Sequence, residues 1–198
     1  MPSLLKRVIN LIVKPRSEWL LIKDEHVSYQ RVLFRDVALF TLAPLVAISL
    51  PELLRLLKHP DLPAFRFAAE LSVWQGVQWY LLNIMNVAII GAFFQRLIPI
   101  SAHTNDRVHG LKISAYSAMP LWMAISFTAI PLVFFDLLAF LAFLYSFYLM
   151  YLSVVVFMDV PKKKAVGYAT VSVLASAGAI GVIDTAIIQA VSYAVRLP

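Results

Sequence analysis

Cysteine is absent from all 198 residues. The chain therefore forms no disulfide, offers no thiolate to a metal and has no cysteine nucleophile. Charge is scarce as well: Asp, Glu, Lys and Arg make up 14% of the chain, where soluble proteins carry about 25%. Glycine contributes only 6 residues, and none of them builds a Gly-rich phosphate loop or a GxSxG elbow. No HExxH zinc motif is present either. Nothing in the residues asks for catalysis, a cofactor or a metal, so the expectation is a protein that is not an enzyme.

What fills the chain instead is apolar: 61% of it is hydrophobic, far beyond a soluble domain. Between Lys112 and Asp136 lie 23 residues without formal charge, and between Asp136 and Asp159 another 22. A helix needs roughly 20 such residues to cross a hydrocarbon core. Two runs separated by one Asp predict a helical hairpin through a bilayer. The expected fold class is all-α: a polytopic membrane protein, a bundle of five transmembrane helices. The spans fall at about 33–56, 73–98, 112–134, 137–158 and 166–188. Residues 31–198 then form the transmembrane domain.

Residues 1–30 form a separate cytoplasmic segment. Leu4, Leu5, Val8, Ile9 and Ile12 fall on one side of a helix, with Lys6, Arg7, Asn10 and Lys14 on the other. This pattern predicts an N-terminal interfacial amphipathic helix, or one packed on the protein's own cytoplasmic face. Pro15 ends it and a second short helix follows. Trp19 and Tyr29 suit the headgroup layer. Residues 59–70, HPDLPAFRFAAE, with two prolines, read as a loop containing one amphipathic turn at most.

Five spans put the termini on opposite sides. Of the 17 Lys and Arg residues, 13 fall on the N-terminal side. The positive-inside rule then places the N-terminus in the cytoplasm and the C-terminus outside. The net charge of +6 is spread beside apolar runs rather than in a soluble basic module. Its expected partner is anionic lipid headgroups at the cytoplasmic face, not nucleic acid.

The polar residues inside these runs are the candidate site, because ionisable and amide groups at membrane depth are costly. Asn83 and Asn86 share a face of span two. They can line a polar path or bond to hydroxyls on a neighbouring helix, such as those of Ser114, Tyr116 or Ser117. Tyr145, Tyr148 and Tyr151 give span four a polar edge that packing alone also explains. Asp184 lies near the outer end of span five, where it is either a cation site or a helix-end group. Asp136 is accounted for by capping span four. His103, Asp106 and His109 read as a solvated loop in preference to a metal site. Ala175 and Ala179, with Ala177 and Gly181, form small-residue faces that let helices approach closely. Association with copies of itself or with other membrane proteins is therefore expected.

Three stretches carry a resemblance: KPRSEWLLIKDE near the start, LKISAYSAMPLWMA opening span three, and YSFYLMYLSVVVFMDVPKKKAVGYA across spans four and five. Together and in this order they resemble the bacterial branch of the Yip-one family of five-span membrane proteins. Lys112, Tyr116, Pro120, Tyr145 and Tyr148 lie in these stretches. The resemblance implies a bacterial inner-membrane protein with a cytoplasmic N-terminus and an outward C-terminus. Eukaryotic relatives act in vesicle traffic and bind Rab-type GTPases. They carry a long cytosolic region where this chain has about 30 residues, so architecture is carried over and a GTPase partner is not. The expected function is association between membrane proteins, or organisation of lipid. The alternative is a small-solute or ion channel or transporter whose path runs between spans two, three and four, lined by Asn83, Asn86, Tyr116 and Tyr145.

Overall fold

A computed structural model describes residues 3–97, 108–130, 132–158 and 161–195. Seven α-helices make up almost all of it: α1 Leu4–Val13, α2 Pro15–Asp24, α3 Ala38–Lys58, α4 Pro63–Leu97, α5 His109–Ile125, α6 Val133–Met158 and α7 Lys162–Val195. Among the described residues there is no strand. The helices Arg31–Lys58, Pro63–Arg96, Val133–Phe157 and Lys162–Ile183 are each long and apolar enough to cross a membrane.

Local chemistry sets the helix ends. The Ser3 hydroxyl accepts from the Lys6 amide at 3.3 Å and caps α1. Pro15 then sits at the first position of α2, where its missing N–H costs nothing. A π-helical turn, Arg31–Val37, leads into α3, which continues through both Pro44 and Pro51. Near that junction the Thr41 hydroxyl donates to the Val37 carbonyl at 2.9 Å. Pro63 opens α4, so most of the stretch expected as a loop is helical from that residue on. At 35 residues, α4 is about 52 Å long, well beyond a hydrocarbon core. Its first turns carry the exposed Arg66–Glu70 pair.

The hairpin also differs from the expected form. α5 stops at Ile125, short of the predicted 134. Ser126 and Thr128 turn their hydroxyls back onto the carbonyls of Trp122 and Ile125, local side-chain bonds that compete with continuing the helix. Asp136 then lies in the first turn of α6, where its charge suits the helix N-terminus.

α5 is the centre of the bundle, touching α1, α3, α4 and α6. Its approach to α4 depends on two glycines. A methyl group on Gly110 would collide with the Gly91 carbonyl oxygen and come within 2.6 Å of the Gln95 amide nitrogen. One on Gly91 would lie 2.9 Å from the Leu111 Cα. α6 runs antiparallel to α5, with Phe157 against His109 at one end and Phe135 against Phe127 at the other.

The N-terminal helices lie against the side of this bundle, over α5 and the second half of α6. Trp19 is fully buried with its ring edge-on to Phe157 at 5.9 Å, in contrast to the headgroup position expected for it. Val8 and Leu11 face inward, while Leu5, Ile9, Ile12 and Val13 are exposed. Arg7, expected on the polar outer side, is buried as well. The reason lies in what it meets there.

Candidate functional site

Among the described residues two polar constellations inside the bundle stand out. The first joins α1, α2, the π-helical turn and α5. The Arg7 guanidinium donates to Glu25 Oε2 at 2.6 Å and to the Tyr116 hydroxyl at 2.9 Å. Its Nε lies 3.6 Å from Glu18 Oε1. Asn10 holds the other Glu18 oxygen at 2.9 Å. Tyr116 passes the connection on by donating to Asp36 Oδ2 at 2.7 Å. Lys112, fully buried, donates to the Glu25 carbonyl oxygen at 2.5 Å.

This arrangement makes electrostatic sense. Burying a lone charge costs several kcal/mol even after relaxation, roughly 3–5 kcal/mol when a partner is removed. Here two cations, Arg7 and Lys112, sit among three carboxylates, Glu18, Glu25 and Asp36. Burial pulls the Arg7 pKa down, but the nearby Tyr116 and Glu25 outweigh it and leave it raised. The guanidinium stays charged, and its planar fork serves Glu25 and Tyr116 together. Its carbon also lies 4.9 Å from the centre of the Tyr116 ring.

Further contacts tie the same helices down. Tyr145 donates to the Leu11 carbonyl at 2.9 Å and lies 3.1 Å from that of Ile12, so it satisfies carbonyls that the end of α1 leaves free. Lys23 reaches the Val156 carbonyl at 2.8 Å. Chemically, this constellation is a clasp. Its acids and cations face each other and hold two short helices on the bundle.

The second constellation surrounds a cavity of about 230 Å³ between α4, α5, α6 and α7. Asn83 donates to the Trp79 carbonyl at 2.8 Å and accepts from the Trp122 indole at 3.1 Å. Asn86 and Ser176 exchange hydrogen bonds at 2.7 and 2.9 Å. Both amides thus serve as links between helices. Their partners are Trp122 and Ser176, not the hydroxyls of Ser114, Tyr116 or Ser117. Ser117 lines the cavity fully buried.

The structure therefore divides the expected site residues. Lys112, Tyr116 and Tyr145 belong to the clasp; Asn83, Asn86 and Ser117 belong to the cavity. Tyr116 and Tyr145 are not among the residues lining the cavity, so the four residues expected along one path do not meet there. Pro120 is buried within α5. Tyr148 is 43% exposed beside Tyr145. Asp184 is on α7, and its side chain, like His103, Asp106 and the side chain of Ala179, lies outside the described residues. Reading the residues in order missed Arg7, Glu18, Glu25 and Asp36. A signal for Arg7 was available: it lies four positions before Leu11, on the stripe that packs inward.

Comparison with the curated proteins and with the solved structures returned no match. The helices of crossing length make this a multi-pass membrane protein, and the Yip1 domain matches residues 9–183, from within α1 to within α7. The chain belongs to the Yip1 domain family.

Proposed function

We propose that the chain is a non-enzymatic protein of a bacterial inner membrane, of the five-span Yip-one type, that acts by associating with membrane proteins, itself included, or by organising lipid. The observation that carries this reading is the clasp. It commits four buried charges, Arg7, Glu18, Asp36 and Lys112, and the partly buried Glu25 to holding α1 and α2 in place. What those helices present outward is apolar: Leu5, Ile9, Ile12, Val13, Leu20 and Leu21 are exposed beside exposed Lys6, Lys14 and Arg16. An amphipathic surface of this kind suits acyl chains with anionic headgroups above them.

Five crossings are supported by the pairing of α5 with α6. From Phe157 to Phe135 α6 advances about 33 Å, and α5 with its turn accompanies it from His109 to Phe127. A short helix plus turn thus covers a full hydrocarbon thickness of about 30 Å. With the lysine and arginine bias, this favours a cytoplasmic N-terminus and an outward C-terminus. Reporter fusions after Pro60 and at the C-terminus should read outside, and those near Asn105 and at Lys163 inside. A cytoplasmic C-terminus would reduce the count to four.

Crosslinking in native membranes, followed by detergent-free extraction, tests the association. A homo-oligomer or a fixed membrane partner is expected. Consistent recovery of a lone monomer would overturn it. The amides at the cavity favour one competing reading, a conductor of small uncharged solutes. That reading requires purified protein in liposomes to pass small polar solutes, with Asn86→Leu reducing the flux.

A further inference from the structure

The cavity between α4, α5, α6 and α7 holds an unmet hydrogen-bonding demand. Ser117 is fully buried, and its hydroxyl has no partner; the buried Ser146 hydroxyl across from it has none either. Both line the cavity. A serine in a helix can always turn its hydroxyl onto a carbonyl three or four residues back. Other buried serines of these helices do so: Ser153 onto Met150, Ser172 onto Tyr168, and Ser114 onto Leu111 as well as Val87 across the interface. Of the four serines lining the cavity, Ser114 and Ser176 are bonded, and Ser117 and Ser146 are the exceptions.

The lining also limits what can answer them. None of the described residues lining the cavity is ionisable, and an ion without a counter-charge in so apolar a space would pay a prohibitive desolvation cost. The occupant is therefore uncharged. An apolar cavity of about 150 Å³ admits benzene. At about 230 Å³ this one takes a somewhat larger group, largely apolar and with at least one hydrogen-bonding oxygen. Its walls reach the outer surface of α6 and α7, where Phe143 is 44% exposed and Ala177 is exposed. Both helices have the length and composition of membrane spans, so entry is from the bilayer.

We propose that this cavity is a binding site for the uncharged, hydroxyl- or ester-bearing part of a membrane amphiphile, with the Ser117 and Ser146 hydroxyls as its hydrogen-bonding partners. The site requires only that α6 and α7 face lipid, and it stands whether or not the protein associates with others.

The test uses the full chain in liposomes and a diazirine-bearing octanol as the probe, with labelled residues located by mass spectrometry. Label is expected on Phe147, Met150 or Val173. Unlabelled octanol should compete, while octane, octanoate and glycerol compete at least tenfold less well. Replacing both serines, Ser117→Ala with Ser146→Ala, should lower cavity labelling about tenfold and leave the melting temperature unchanged or raised, because an unsatisfied hydroxyl contributes nothing to the fold. Ala177→Phe, which fills the cavity from its lipid-facing side, should abolish that labelling and spare labelling of exposed leucines on α6. Labelling indifferent to the serine pair would overturn the proposal, as would equal competition by octanoate. Competition by glycerol as strong as by octanol would overturn a bilayer source.

Discussion

Helices α5 and α7 both read as apolar stretches of crossing length, and the bundle treats them in opposite ways. α5 is buried without interruption from His109 to Ser117, whereas only 12% of the most apolar window of α7 is buried. The buried stretch is also the polar one, carrying Lys112, Ser114, Tyr116 and Ser117. α7 turns Val171, Leu174 and Val182 outward. In water this sorting would be inverted. In lipid, acyl chains accept apolar side chains as readily as a protein core does, so helix positions are decided by polar groups that need partners and by close packing.

The contrast can be broken most severely at the clasp. Arg7→Leu leaves Glu18, Glu25 and Asp36 with less counter-charge in a buried site. It should cost about 3–5 kcal/mol and free α1 and α2 for proteolysis in nanodiscs, at positions where the parent protein resists. An unchanged digestion pattern would show that the apolar contacts of Trp19 and Leu11 suffice. Gly110→Leu strikes the other support of α5. Its side chain meets backbone of α4 that cannot yield cheaply, so a loss of about 1–3 kcal/mol or more is expected, read as a lowered melting temperature and reduced accumulation in the membrane.

Smaller effects mark the boundary between the two regions. Asn86→Leu together with Ser176→Ala removes a reciprocal pair between α4 and α7 and should cost about 0.6–2 kcal/mol. The single and double variants should be non-additive in a mutant cycle, since both remove one interaction. At the far end of the scale, Gly178→Ala on α7 meets nothing within 4 Å. It should stabilise the isolated chain by about 0.5–1 kcal/mol through helix propensity alone. A loss of stability there would mean that α7 is covered by a second molecule, which would support the association reading.

The residues that misled a linear reading show where hydropathy stops being informative. Arg7 falls among the charges of α1, on the side expected to be polar with Lys6 and Lys14, although it lies four positions before Leu11 on the stripe that packs inward. Trp19 is expected among headgroups because tryptophan is common there, yet Phe157, far along the chain, gives it an edge-on partner inside the protein. Asn83 and Asn86, expected on one face of their helix, both line the cavity. Their partners, Trp122 and Ser176, come from two other helices and could not be read from spacing along α4.

Local chemistry within the sequence was enough to determine an all-helical membrane protein, since uncharged runs of this length have no other stable arrangement in a bilayer. It was also enough to place the helix boundary at Pro15 and the family stretches around Tyr116 and Tyr145. Only the tertiary structure decided that α5 is the centre, that five charges close over it as a clasp, and that Ser117 and Ser146 face a cavity without partners. Such outcomes depend on pairings between groups up to 109 residues apart, as with Arg7 and Tyr116, and their stability comes from mutual satisfaction inside a medium that offers no water.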